Sequence, residues 1–559
     1  MSSISSITKA VSGLAAAQKG LQVTGHNLSN VNTEGYTRQQ LLQSESDYLV
    51  IGNRGSRYLQ VGLGVTQDEI RQIRNELADK RLRTENSVLT YYQTQNSTIA
   101  EIEAILDEPY GEGVTKLLNN FWSQTQKLNT TPNGVEERQS FISAANVLIK
   151  KINDISDSLD KFQANTNKEV ISSVNRINQI IEGIKEYNDI ISRAEVNGDN
   201  ANDYRDQRNN LLDELSEYGK VTYHEEVGSK VVVKFENHLV VDGPFTATMK
   251  LEEADTKSVF VKPVWSDTNS DVYRFDETVT SVKGNDTGKL KALLISRGNN
   301  YVTEDTKWED IAFNDNFSVD EPGNSFIIPK IQKMLSDFTG VLVETVNSCF
   351  DGTGIGSHEG KAGVPVFVPI ISTQEYEAAK KNLETVLNDP TSTEDQKEAA
   401  QQAYEKAANK AMTTGNIQVN PELLANGGYN KLGTVSTEGA SNNVGDSSKV
   451  TEFLSEWGKT REWYSDRSEK GAPNYKKVSI ISFYSEFVTD IGTDGSNYSA
   501  VAKSRQTSIL NIQNERQAMG GVSQDEEFAN MLKYQYAYNA SARMITMLDG
   551  MLDTIINKM

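Results

Sequence analysis

Cysteine and proline are both scarce in this sequence, and each scarcity limits the folds that the chain can adopt. The single cysteine, Cys349, excludes an intramolecular disulfide framework. It lies in an apolar stretch, where a small buried side chain is expected. Only 11 prolines occur in 559 residues, which favours long uninterrupted helices, because proline breaks a helix interior. A chain of this length exceeds the size of a single core, so we expect several domains.

Long apolar runs and an excess of positive charge are missing as well. No run approaches the ~20 apolar residues needed to cross a bilayer. The chain has 77 acidic and 56 basic residues, a formal net charge of −21, which repels phosphate backbones. We therefore expect neither membrane insertion nor nucleic-acid binding. The N-terminus has no basic segment followed by an apolar core, so no cleaved signal peptide is predicted.

Motifs for catalysis or metal binding are also absent from the sequence. The four histidines form no His-Glu-x-x-His motif, and no Gly-x-Ser-x-Gly motif occurs. Residues 284–289 resemble a phosphate-binding loop but are one residue short, and Leu290 stands where a magnesium-binding hydroxyl is needed. The sequence therefore predicts no catalytic residue, no metal ligand and no cofactor. A hydrolase or an adhesin in the outer region is the alternative.

Each end of the chain carries an apolar stripe at the 3,4 spacing of a helix. The N-terminal stripe consists of Ile4, Ile7, Val11, Leu14, Leu21 and Leu28. The C-terminal stripe consists of Met531, Tyr534, Tyr538, Ile545, Leu548, Leu552 and Ile555. Because a lone amphipathic helix cannot bury its own stripe, we expect the two helices to pair antiparallel as a coiled coil, with the other domains nested between them. Two core helices in separate domains are the alternative.

The middle of the chain changes from helical to alternating patterns. Apolar residues at 3,4 spacing over 88–106 and 141–191 predict long helices, the second about 80 Å long. From residue 221 the period changes to two, which predicts strands. Residues 373–412 are rich in Ala, Glu, Lys and Gln, with capping-box spacing between Thr393 and Gln396, and predict an exposed helical hairpin. We therefore predict a mainly α fold with an inserted β-rich domain.

These patterns also predict domain boundaries. Residues 1–60 form an N-terminal assembly helix with a turn segment, which pairs with the C-terminal assembly helix at 517–559. Residues 61–220 form a long helical bundle that the return helices at 430–516 complete. Residues 221–335 form a β-rich outer domain, and residues 336–429 form an outer insert that contains the hairpin 373–412.

Two terminal segments resemble a known family. The segment 28–39, with Asn30, Asn32, Gly35 and Tyr36, resembles the N-terminal signature of the flagellar rod, hook and hook-associated protein family. Residues 525–557, with Glu526-Glu527-Phe528-Ala529-Asn530 near their start, resemble the matching C-terminal signature. The long helical region 72–218 and the segments 202–208, 288–297 and 416–423 are similar to hook-associated members of the family. After Asn347 the sequence departs from the usual His and Gly pair, and the hairpin 373–412 is an addition.

The resemblance implies a structural role in the bacterial flagellum, at the junction of hook and filament. It implies export through the flagellar type III apparatus to an extracellular position and assembly as a ring of copies. The implied partners are the flagellar hook protein, hook-associated protein 3 and an export chaperone on the C-terminal helix. The implied assembly interface joins the two stripes with Asn30, Asn32, Gly35 and Tyr36. A hook or filament subunit is the alternative within the same class.

Overall fold

The structure is a computed structural model that describes most of the chain. It leaves out residues 1, 55–56, 109–110, 112, 199, 256–257, 274, 276–286, 304, 313–324, 351–354, 357–362, 390, 436–444, 465–474 and 559.

Helices dominate the described residues. They are α1 (Ser2–Ser29), α2 (Glu76–Leu106), α3 (Val114–Thr130), α4 (Val135–Ala194), α5 (Asn202–Tyr218), α6 (Lys289–Arg297), α7 (Ile327–Cys349), α8 (Gln374–Asn388), α9 (Glu394–Ala411), α10 (Pro421–Leu424), α11 (Ser448–Trp457), α12 (Ile480–Gly520) and α13 (Gln524–Lys558). Short 3₁₀ helices span Glu195–Asn197, Trp308–Ile311 and Gly428–Lys431. The predicted mainly α fold is confirmed.

The strands are short and form antiparallel pairs or small sheets. They are β1 (Gln39–Glu45), β2 (Tyr48–Arg54), β3 (Arg57–Gly62), β4 (Val65–Gln72), β5 (Val221–Glu225), β6 (Val231–Phe235), β7 (His238–Asp242), β8 (Phe245–Thr246), β9 (Met249–Glu253), β10 (Val261–Trp265), β11 (Ile355–Gly356), β12 (Phe367–Pro369), β13 (Ile417–Val419), β14 (Gly433–Val435), β15 (Arg461–Tyr464) and β16 (Tyr475–Val478). Strands β5-β6-β7-β8 form a four-stranded sheet, in the region where the alternating pattern begins.

The terminal helices α1 and α13 pack side by side, as predicted. We call this helix pair the stem. The remaining folded part, from α2 to α12, is the body. Helices α2 and α12 pack against each other along the body, and the chain enters and leaves the body through them. The domains are therefore nested between the two terminal helices.

Helix α4 organises the body because it belongs to two hydrophobic cores. Its 60 residues contain no proline and carry two glutamates in the first turn, which suits a helix N-terminus. Its first half, residues 141–159, lies in a core with α2, α3, α7, α11 and α12. Its second half, residues 170–184, lies in a core with α5, α6 and β5 to β10. At 1.5 Å per residue the helix is about 90 Å long, so it holds both cores in one rigid frame.

Four strands between residues 39 and 72 were not indicated by the hydrophobic pattern. Strand β1 pairs with β4, and β2 pairs with β3. Backbone hydrogen bonds from Ser46 N to Gly64 O (3.0 Å) and from Leu63 N to Asp47 O (2.9 Å) join the two pairs into one ribbon. The ribbon lies along α1, where Val65 N donates to Ser12 Oγ at 3.2 Å.

The inserted helical hairpin consists of α8 and α9. The capping box at Thr393 and Gln396 is present. Most hairpin side chains are exposed, while Tyr376 and Ala411 are buried against the body. Among the described residues, no helix combines the length and the apolarity that a membrane crossing requires.

Candidate assembly site: the stem and its joint with the body

The two stem helices are antiparallel in a regular register. Three facing pairs define it: Gly13 with Ser541, Gly20 with Tyr534, and Asn27 with Glu527. Successive pairs are seven residues apart on both helices, as in a coiled coil. At Gly20 an added Cβ would lie 2.5 Å from the Tyr534 ring. A side chain at residue 20 would therefore displace the Tyr534 ring from its place against α1.

The predicted stripe residues of the stem lie in an intermediate environment. The side chains of Ile7, Leu14, Leu21, Leu28, Met531, Tyr534, Tyr538, Ile545, Leu548 and Leu552 are half-buried, and Val11 is exposed. The side chains of Ile4 and Ile555 lie outside the described part of the chain. On α1 the most buried positions are neighbours of the predicted stripe: Ala10, Ala17, Gly20, Thr24 and Asn27. Small residues occupy this face because the helices are close together.

Helix α13 also exposes large apolar side chains to solvent, at positions outside the predicted stripe. They are Phe528, Leu532, Tyr536, Met544, Met547, Met551 and Ile556, and we call them the outer stripe. Their exposed fractions run from 43% at Met544 to 74% at Ile556. Large apolar side chains that are exposed close together on a protein surface are typical of a protein–protein contact.

The stem meets the body where α1, β1 and α13 come together, and we call this contact the joint. Asn27 is its hub, because its side chain connects these three elements. Its side chain is 1% exposed and makes four hydrogen bonds. Nδ2 donates to the carbonyl of Gln39 at 2.9 Å and to Glu527 Oε2 at 3.1 Å. Oδ1 accepts from Gln39 N at 3.0 Å and from Tyr36 Oη at 2.7 Å. One carboxamide thus connects α1, the start of β1 and α13.

The turn after α1 has a defined geometry. Asn30 Nδ2 donates to the carbonyl of His26 at 3.0 Å, and the backbone N of Asn30 donates to the same carbonyl at 3.1 Å. Gly35 has φ +76°, and a Cβ there would lie 2.1 Å from Asn210 Oδ1. Glycine is therefore required at 35. Asn32 is exposed.

Tyr36 extends from this turn into the joint. Burial and the negative charges of Asp203, Asp206 and Glu527 raise the pKa of Tyr36. The phenol consequently keeps its proton and donates to Asn27.

The start of α5 binds the other side of the turn. Asp206 Oδ2 accepts from Thr37 N at 3.0 Å, and burial raises the pKa of the Asp206 carboxyl. Asp203 Oδ1 accepts from Gln39 Nε2 at 2.9 Å. Asn202 Nδ2 donates to Gln39 Oε1 at 3.3 Å. The segment 202–208 therefore fixes the N-terminal signature to the body.

The C-terminal signature reaches the same joint through Arg38. Its guanidinium contacts Glu527 Oε1 at 2.8 Å and Glu526 Oε2 at 3.1 Å. Its backbone N donates to the carbonyl of Gly520 at 2.9 Å, and its carbonyl accepts from Ile73 N at 2.9 Å. The sequence motifs from both ends of the chain and from α5 thus meet at one place. Their individual partners could not be found from spacing, because hundreds of residues separate them.

Ion pairs tie this joint to the helices of the body. Arg516 on α12 contacts Asp79 Oδ1 at 2.8 Å and Asp213 Oδ2 at 3.2 Å. Arg83 contacts Asp213 Oδ1 at 2.6 Å, and Arg74 contacts both Asp79 and Asp206. Because Asp79 and Arg83 are buried, breaking such a pair leaves an uncompensated charge, which is strongly unfavourable.

The other motif residues have structural partners away from the joint. Arg208 Nη1 donates to Asn188 Oδ1 at 2.9 Å and to the carbonyl of Ser229 at 2.7 Å. Arg297 Nη1 donates to Asn167 Oδ1 at 2.6 Å. Asn420 caps α10 by accepting from Glu422 N. Over the described residues, no group of three His, Cys, Asp or Glu side chains is arranged to hold a metal ion.

A cleft of about 1250 Å³ opens beside the joint. The turn 30–38, α2, α5 and the end of α12 line it. Its walls contain more carboxylates than guanidinium groups. The carboxylates are Glu34, Asp79, Asp213, Glu214, Glu217 and Glu526, and the guanidinium groups are Arg38, Arg74 and Arg516.

Three protein families match successive parts of the chain. Residues 7–37 match the flagella basal body rod protein family, and residues 517–558 match the flagellar basal body rod FlgEFG protein C-terminal family. Residues 99–367 match the flagellar hook-associated protein FlgK helical domain. The two terminal matches coincide with the stem and the joint. Together they define an axial structural protein of the bacterial flagellum.

Several relatives are similar to this chain over nearly their whole length. Flagellar hook-associated protein 1 of Bacillus subtilis is 26% identical over 554 residues, which cover 98% of this chain and 96% of that protein. Flagellar hook-associated protein 1 of Salmonella typhimurium is 22% identical over 99% of both chains. The flagellar hook junction protein FlgK from Burkholderia pseudomallei shares the fold, with a TM-score of 0.51 and 11% identity over 79% of this chain and 100% of that chain.

Taken together, these matches support a hook–filament junction protein of the bacterial flagellum that is similar to flagellar hook-associated protein 1. They assign the chain as a structural subunit of the flagellum, which is exported and interacts with other flagellar components. Of the functions considered from the sequence, an adhesin or a hydrolase is not favoured by these relatives.

Proposed function

We propose that copies of this chain form a ring between hook and filament, outside the cell. One side of the ring contacts the flagellar hook protein, and the other contacts hook-associated protein 3. The stem is the assembly element. Its interface consists of the two predicted stripes together with Asn30, Asn32, Gly35 and Tyr36, and it also includes the outer stripe of α13. No catalytic step is assigned to the chain.

The outer stripe of α13 carries this proposal. Seven large apolar side chains remain exposed on a helix whose opposite face is already occupied by α1. Burying a side chain of this size contributes roughly 1.5–3 kcal/mol, so a neighbouring subunit on this stripe would gain substantial free energy. Before assembly the same stripe is a suitable site for an export chaperone.

A paired substitution in the outer stripe tests the proposal. In a strain that lacks the native protein, the unaltered chain should restore filaments and swimming. Met547→Glu with Met551→Glu should abolish both, because the two charges would be buried between subunits. Both methionines are exposed in the single chain, so its unfolding should change by less than about 0.5 kcal/mol. Filaments are counted by electron microscopy, and unfolding is followed by circular dichroism.

Val227→Glu with Val259→Glu is the matched control. Both valines are exposed on the body, so this variant should assemble normally. If cells that carry Met547→Glu with Met551→Glu have filaments in wild-type numbers, the outer stripe is not part of the assembly interface.

A further inference from the structure

Methionine is concentrated at the C-terminal end of the chain. The chain has 10 methionines, and more than half of them follow residue 518: Met519, Met531, Met544, Met547, Met551 and Met559. Met544, Met547 and Met551 belong to the outer stripe and are spaced by three and four residues. This spacing places their side chains next to one another on one face of α13. The outer stripe therefore contains a group of three neighbouring thioethers.

These three methionines are open to solvent, in contrast to those in the interior of the protein. Met544, Met547 and Met551 are 43%, 63% and 55% exposed. The buried methionines, each 4% or 5% exposed, are Met249, Met334 and Met412. An oxidant in solution must reach the sulfur atom, so the methionines of the outer stripe should react before the buried ones.

The thiol of the single cysteine does not compete for a peroxide. Cys349 is buried, and burial raises its pKa to about 11. Because the thiolate is the reactive form, the protonated Cys349 reacts slowly. Met519, at the end of α12, is 52% exposed, and its sulfur accepts a hydrogen bond from Asn75 Nδ2 at 3.4 Å. Among the described residues, the accessible sulfur atoms are therefore those of the outer stripe and of Met519.

We propose that Met544, Met547 and Met551 form an oxidation site, and that their conversion to sulfoxides by hydrogen peroxide prevents the chain from assembling. This inference rests on the proposed function and adds a chemical modification of the same surface. A sulfur lone pair attacks one peroxide oxygen, and the S–O bond forms as the O–O bond breaks. The transferred oxygen gives its proton to the departing hydroxide, which leaves as water. Each thioether is thus oxidised by two electrons, and one peroxide is reduced.

A sulfoxide changes the surface that a neighbouring subunit meets. The group is polar, and burying it without a hydrogen-bond donor is unfavourable. Losing the burial of one methionine alone lowers an association constant at least about tenfold. The fold of the single chain should not change, because the three side chains are already exposed in it. Oxidation at this site consequently acts on assembly and not on folding.

Binding of the full-length chain to isolated hooks tests this inference. Hooks from a strain that lacks the protein are mixed with untreated or peroxide-treated chain, and the chain that sediments with them is measured. Mass spectrometry should find sulfoxides at Met544, Met547 and Met551 while the buried methionines stay unoxidised. Binding should then fall at least about tenfold, with an unchanged circular dichroism spectrum. Methionine sulfoxide reductases for both sulfoxide epimers, with a thiol as reductant, should restore it.

The matched control is Met544→Leu with Met547→Leu and Met551→Leu. Leucine keeps a similar volume and apolar character but has no thioether, so this variant should bind hooks equally before and after peroxide. The variant retains Met519, so unchanged binding also excludes Met519 as the cause. If the oxidised unaltered chain binds as well as the untreated chain, or if the leucine variant loses binding to the same extent, the inference is wrong. If even the untreated chain does not bind hooks, the proposed function is wrong and the inference falls with it, so the two failures are distinguishable.

Discussion

Leu548→Asp should abolish incorporation of the protein into flagella while the body remains folded. Leu548 is half-buried in the stem, on the face of α13 that packs against α1. A carboxylate there loses part of its hydration and gains no cation, which costs on the order of 2–3 kcal/mol. The penalty rises when neighbouring stems surround the helix pair. Since neither core of the body includes α13, its thermal unfolding should be unchanged.

The matched variant is Leu548→Met, which keeps the volume and the apolar character and should cost less than about 1.5 kcal/mol. Swimming and filament counts separate the two variants, and circular dichroism verifies the fold. Normal filaments on Leu548→Asp cells would show that this face of α13 is not needed for assembly.

Asn27→Ala should release the stem from its fixed orientation on the body. The substitution removes four hydrogen bonds at once and leaves the buried Glu527 carboxylate and the backbone of Gln39 with fewer partners. Loss of partners for buried polar groups costs roughly 2–4 kcal/mol in total. Amide hydrogen exchange in α1 should accelerate by at least about 30-fold, whereas exchange in α4 should stay unchanged.

Asn32→Ala is the control for this prediction. Asn32 belongs to the same turn but is exposed, so its replacement should alter exchange in α1 by less than about threefold. Equal acceleration by both substitutions would mean that Asn27 is not the hub of the joint.

The long helices and the pairing of the ends could be predicted because their evidence is local. In α4 and α13 large apolar side chains repeat at 3,4 spacing with few gaps, and that pattern indicates which face is covered. Strands β1 and β4 could not be predicted in the same way. The sequence of β1, Gln-Gln-Leu-Leu-Gln-Ser-Glu, does not alternate, and what orders it is contact with α1 and with the distant segment β4.

The sequence predicted only part of the candidate assembly site, for two physical reasons. On α1 the buried positions include Ala17, Gly20 and Asn27, and a hydrophobic pattern gives such residues little weight. The joint is held by polar pairs such as Arg38 with Glu527, whose members are 489 residues apart. Periodicity carries no information about such pairs. The resemblance at each terminus identified the segments, but it gave no information on their contacts with α5.

The nested topology has a consequence for the order of folding. The hydrogen bond between Asn27 and Glu527 spans 500 residues, and the entropic cost of closing a loop rises with the logarithm of its length. Once α2 and α12 lie together in a folded body, only roughly 60 flexible residues separate the two stem helices, which lowers the closure cost by about 2 kcal/mol. The body should therefore fold first and the stem last. Pulse-labelled hydrogen exchange during refolding should show protection in α4 before α1, and simultaneous protection would contradict this order.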